Sequence, residues 1–78
     1  MDRHELRAAL RDAGVPDGYY RIEGVHEPSP APTDFLYLKR TEDGTAWETG
    51  AYERGLSEVI GRHDTEPDAC AHLLRLLV

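Results

Sequence analysis

Seventy-eight residues allow one domain, and a core of this size rarely yields more than ~3–5 kcal/mol of net stability, which leaves little room for a large cofactor. Nine Lys and Arg against fifteen Asp and Glu give a net charge of −6, so there is no basic footprint for nucleic acid; the excess acid suits a basic protein partner, and it also serves plain solubility. The single cysteine, Cys70, excludes an internal disulfide and points to a reducing, cytoplasmic setting, while the charged start Met1-Asp2-Arg3-His4-Glu5 and the short apolar run Leu73–Val78 offer neither a leader nor a membrane span.

Asp2-Arg3-His4-Glu5 fits an N-cap with a carboxylate three residues on, and Leu6, Ala9, Leu10 and Ala13 then form one helical stripe, so a first helix is expected over about residues 3–13. Gly14 suits a left-handed C′ position, Val15 can fold back on Leu10, and Pro16 forbids continuation. Asp17-Gly18 reads as a turn, and Tyr19-Tyr20-Arg21-Ile22 has the content of a short strand that could join a sheet as a fourth member. Between Val25 and Asp34, Pro28, Pro30 and Pro32 remove backbone donors at every second position and predict an extended surface loop.

Phe35–Arg40, Thr45–Tyr52 and Leu56–His63 are expected to form a three-stranded antiparallel meander, joined by Thr41-Glu42-Asp43-Gly44 and Glu53-Arg54-Gly55. If those loops set the register, Leu36, Leu38, Trp47, Thr49, Ala51 and Val59 share the core face, with Gly61 near Trp47. Thr65 as N-cap, Pro67 in the first turn and Asp68 then begin a closing helix with the apolar flank Ala69, Cys70, Leu73, Leu74, Leu76 and Leu77. The expected architecture is one α+β domain over residues 1–78, with both helices on one face of the sheet.

The same register places Phe35, Tyr37, Tyr52, Leu56 and Ile60 on the opposite face among Lys39, Glu48, Glu58 and Arg62, which is more apolar than a solvated face normally is. Either the Tyr19–Ile22 segment or the proline loop folds over these residues, or they bind a partner or a second copy of the chain. Arg54, at a tight hairpin tip, could meet an acidic group on a partner, although pairing with Glu53 or a neighbouring strand carboxylate is the simpler reading.

Residues able to carry catalysis form no recognisable constellation. His4, His26, His63 and His72 match no ligand spacing, and His63-Asp64 reads as a polar strand end. Cys70 belongs to the apolar flank of the closing helix, where a free thiol behaves as a small hydrophobe. Ser29 and Ser57 lack a nucleophile-elbow context, and no glycine-rich phosphate loop occurs. No catalytic residue, metal or cofactor is therefore expected, and a non-enzymatic protein is the reading.

The stretch Trp47…Tyr52-Glu53-Arg54-Gly55…Glu58…Thr65-Glu66…Ala69-Cys70…Leu73-Leu74 resembles a pattern found in small, mostly uncharacterised bacterial proteins, some of which resemble immunity proteins of polymorphic toxin systems. That resemblance, carried by residues 47–78, implies a protein that acts by binding, with no active site of its own. Two functions follow as expectations. One is an acidic protein-binding domain of the immunity or antitoxin-like kind, meeting its partner through Phe35, Tyr37, Tyr52, Arg54, Leu56 and Ile60. The other is a homodimeric structural or accessory domain associating through the outer sheet face. A small-molecule pocket between the proline loop and the sheet is a third reading.

Overall fold

The first helix, α1 (Arg3–Asp12), begins where the Asp2 carboxylate accepts the Glu5 N–H at 2.8 Å and Glu5 accepts the Asp2 N–H at 2.9 Å. It ends where Gly14 turns left-handed at φ 78° and the Val15 N–H reaches back to the Leu10 carbonyl. The computed structural model describes residues 1–78, and after a single helical turn at Asp17–Tyr19 it continues as β1 (Tyr20–Ile22), β2 (Asp34–Arg40), β3 (Trp47–Glu53), β4 (Leu56–His63) and α2 (Glu66–Leu77). Thr65 caps α2 by accepting the Asp68 N–H at 3.2 Å. No helix is long and apolar enough to cross a membrane.

The sheet has the order β1-β2-β3-β4, so the expected three-stranded meander forms and the Tyr19–Ile22 segment joins it as a fourth strand. The sheet is mixed, however: β1 runs parallel to β2, pairing Tyr20 with Leu36 and Ile22 with Leu38. The reason lies in the connection. After Ile22 the chain makes a tight turn, in which Ile22 bridges His26 and the Glu27 carboxylate accepts the Gly24 N–H at 2.8 Å. The proline-rich segment then carries the chain back so that β2 starts level with β1, and the Thr33 carbonyl accepts the Arg54 N–H at the far hairpin. His26 anchors this path to α1, since its ring nitrogens lie 2.7 Å from Arg7 Nη1 and 2.8 Å from the Asp17 carbonyl.

Leu6 and Leu10 of α1, Tyr20 and Ile22 of β1, Leu38 of β2, Trp47 of β3, and Ala69, Cys70 and Leu73 of α2 form one buried cluster. The α+β packing thus follows from the apolar stripes of both helices meeting one sheet face. Arg3 closes its edge: its guanidinium lies 5.1 Å from the centre of the Trp47 ring, its Nε donates to Glu66 at 3.1 Å and its Nη1 donates to the Glu23 carbonyl at 2.7 Å.

The register of β4 departs from expectation in two steps. Glu53 belongs to β3, so the turn holds only Arg54 and Gly55, both left-handed, at φ 51° and 85°. This one-residue tightening pairs Tyr52 with Ser57 and Ala51 with Glu58, which turns Val59 to the outer face and Leu56 and Glu58 to the helix side. A bulge between Thr49 and Gly50 then admits Ile60 as an extra residue, and beyond it Gly61 faces Thr49. Val59 is therefore outside the core, Leu56 and Glu58 are off the outer face, and Gly61 lies beneath His63 and His72 instead of beside Trp47.

Candidate functional site

On the sheet face away from the helices, Phe35 pairs across the strands with Tyr52, and the two rings stack with centroids 4.9 Å apart. Tyr37 lies over Gly50 on the neighbouring strand, where a side chain would collide with its ring, and its hydroxyl donates to Glu48 at 3.0 Å. The loop between β1 and β2 approaches this face and encloses a cleft of about 670 Å³, whose lining includes Arg21, Glu23, Glu27 and Ala31 beside the three aromatic rings. Phe35 and Tyr37 are only 8% and 7% exposed, so the aromatic face is largely roofed.

The charges around this cleft are already matched. Arg21 pairs with Glu27 at 2.9 Å, Lys39 with Glu48 at 3.7 Å, and Glu23 accepts the Arg40 N–H at 2.8 Å. The Gly24 N–H and then Arg21 hold the Glu27 carboxyl below its usual range, while burial and the Glu48 carboxylate push the Tyr37 phenol up to about 12. An ionised, hydrogen-bonded carboxylate and a neutral phenol are poor candidates for proton transfer near neutral pH. The cleft is apolar below and polar at the rim.

The other exposed feature is the free edge of β4. Leu56, Val59 and Ile60 are 77%, 57% and 46% exposed, and no further strand pairs outside them. At its start Arg54 holds a left-handed backbone and forms no ion pair; the expected local pairing with Glu53 is not made. Of the six residues expected to meet a partner, Phe35, Tyr37 and Tyr52 therefore gather in the cleft, whereas Arg54, Leu56 and Ile60 follow the hairpin tip and the edge. Val59 belongs with the second group: a three-residue turn would put it on the core face, the observed two-residue turn puts it on the outer face, and the bulge beyond it sets Ile60 apart as the extra residue. Gly50 is the sequence signal that bears on this: a glycine inside a strand pattern often marks a bulge or a close approach, and here it marks both.

No three His, Cys, Asp or Glu side chains converge as a metal cluster. Cys70 is buried, and burial, followed by the nearby Glu66 carboxylate, pushes its thiol up to about 11. Native protein treated with iodoacetamide near neutral pH is expected to stay unmodified at Cys70, and denatured protein to be alkylated; rapid modification of the folded chain, read by mass spectrometry, would contradict the buried placement. No known protein family, curated protein or solved structure matches the chain.

Proposed function

We propose that the chain is a protein-binding domain without catalytic activity of its own, which receives an extended segment of a protein partner along the free edge of β4. The observation that carries this reading is the eight-residue edge strand with Leu56, Val59 and Ile60 exposed. An added strand pairs with the open amides and carbonyls of such an edge, and alternate side chains supply specificity. Proteins commonly blunt free edges with Lys, Pro or bulges. Lys and Pro are absent from Leu56–His63, and the Ile60 bulge with Glu58 and Arg62 is all that interrupts it.

The net charge of −6 favours a partner whose contacting segment is apolar with basic flanks. The narrower reading is an immunity or antitoxin-like inhibitor of a basic protein, acting in the cytoplasm and binding neither nucleic acid nor membrane. Its support is the acid excess, the single unpaired cysteine, and the resemblance in residues 47–78, a stretch that includes the hairpin tip and all of β4.

The test is comparative capture from native lysate, with the wild-type chain and a Val59→Lys/Ile60→Lys variant as baits. Both replaced side chains are exposed, so stability is expected to change by no more than about 1 kcal/mol. A stoichiometric protein retained by the wild type and lost by the variant is the expected result. No such protein, or one held equally by the variant, would overturn the reading. Sedimentation equilibrium of the purified chain is expected to show a monomer; a concentration-dependent dimer that Ile60→Lys dissolves would replace a heterologous partner with self-association.

A further inference from the structure

His63, at the end of β4, and His72, in α2, are nine positions apart in sequence, and the turn at Asp64-Thr65 folds one onto the other. His63 Nε2 lies 3.1 Å from His72 Nδ1. The buried Thr49 hydroxyl from β3 completes a triangle, 2.7 Å from His72 Nδ1 and 3.2 Å from His63 Nε2. The missing side chain of Gly61 leaves the space: a Cβ there would stand 2.9 Å from His72 Cε1 and 3.0 Å from His63 Nε2. Three polar atoms from three elements thus face one point on the seam between sheet and helix.

With both imidazoles neutral, two hydrogens can serve these three contacts. Thr49 donates to His72 Nδ1, and His63 Nε2–H donates either to the Thr49 oxygen or to His72. In the other His63 tautomer, with its proton on Nδ1, two nitrogen lone pairs confront each other, an arrangement that a bound cation relieves. Burial first, and then the neighbouring His63 and Arg75, lower the His72 pKa.

The spacing also fits one ion. Metal–imidazole bonds of ~2.0–2.1 Å put two nitrogens about 3 Å apart at a right angle and about 3.4 Å apart at the tetrahedral angle, and the observed 3.1 Å falls between them. We propose that His63 Nε2 and His72 Nδ1 form a bidentate site for a single borderline divalent transition-metal ion of the zinc or nickel class, its remaining positions filled by water or the Thr49 hydroxyl. Uncharged imidazoles select such ions over calcium or magnesium, which need oxygen ligands. The site departs from the sequence expectation of no metal because its ligands become neighbours only when α2 packs on β4. It lies at the far end of the proposed binding edge, away from the exposed Leu56, Val59 and Ile60 side chains, and its role is to tie α2 to the end of β4.

The probe is zinc chloride in a non-chelating buffer near neutral pH, followed by titration calorimetry and by ¹⁵N NMR of the histidine rings. One ion is expected per chain, with His63→Gln and His72→Gln each weakening binding at least about tenfold and His4→Gln leaving it unchanged. In the wild-type chain zinc should shift His63 Nε2 and His72 Nδ1 together, a readout that does not depend on any variant folding. No stoichiometric binding below about 1 mM zinc, or shifts confined to His4 or His26, would overturn the proposal.

Discussion

Gly50→Ala is expected to remove about 3 kcal/mol or more of stability, enough to unfold most of the chain. Two obstacles meet the new methyl group. One is the carbonyl oxygen of Glu58, part of the β4 backbone at the bulge; the other is the Tyr37 ring with its hydroxyl. Moving the ring breaks its hydrogen bond to Glu48 and disturbs a buried aromatic. Moving the strand breaks the β3–β4 ladder. Overpacking a core position costs about 1–3 kcal/mol where side chains alone give way, and here backbone must shift as well. Against a net stability of about 3–5 kcal/mol for a core of this size, urea denaturation should find the variant largely unfolded. Replacing Tyr37 by Leu in the Gly50→Ala background should recover only part of the loss, because Glu58 remains in place. A loss below about 1 kcal/mol would mean that β4 can yield without cost.

Local signals made much of the fold legible. Asp2 with Glu5, Gly14 with Val15, and Thr65 each mark a helix end through groups only a few residues apart, and all three serve as expected. The hairpins were also legible, since Gly44 and Gly55 take the positive φ their turns need. What escaped were features set by distant contacts. The parallel sense of β1 depends on the return path anchored by His26 and Glu27, whose partners Arg7, Asp17 and Arg21 belong to other segments or become neighbours only in the folded turn. Ile60 is as good a strand residue as its neighbours, so nothing local announces it as the extra one. Because side chains alternate in a strand, the one-residue error in the turn moved Leu56, Glu58 and Val59 to the wrong faces. The bulge restored the alternation by Gly61. For the same reason the six expected contact residues separate into a cleft and an edge, and the His63–His72 meeting has no counterpart in sequence spacing.

Leu73→Ala should produce the second large loss, about 2–5 kcal/mol. Leu73 is fully buried among Leu6, Leu10, Leu38 and Trp47, in the cluster that joins both helices to the sheet. In a single core with no disulfide to limit the unfolded chain, the cavity left by truncation closes only as far as α1 and α2 can move together. Arg3 restrains that movement: its backbone N–H and its Nε both donate to Glu66, at 2.8 and 3.1 Å, fixing the start of α1 to the start of α2. Leu76, exposed on the same helix, supplies the internal comparison, and Leu76→Ala should change stability by no more than about 0.5 kcal/mol. Equal losses for the two variants, measured by urea denaturation, would mean that Leu76 packs as closely as Leu73 and that the stabilisation is not confined to the inner face of α2. A large loss confined to Leu73 would place the stabilisation in the packing of α2 against Leu38, Trp47 and α1, the same packing that brings His72 over the end of β4.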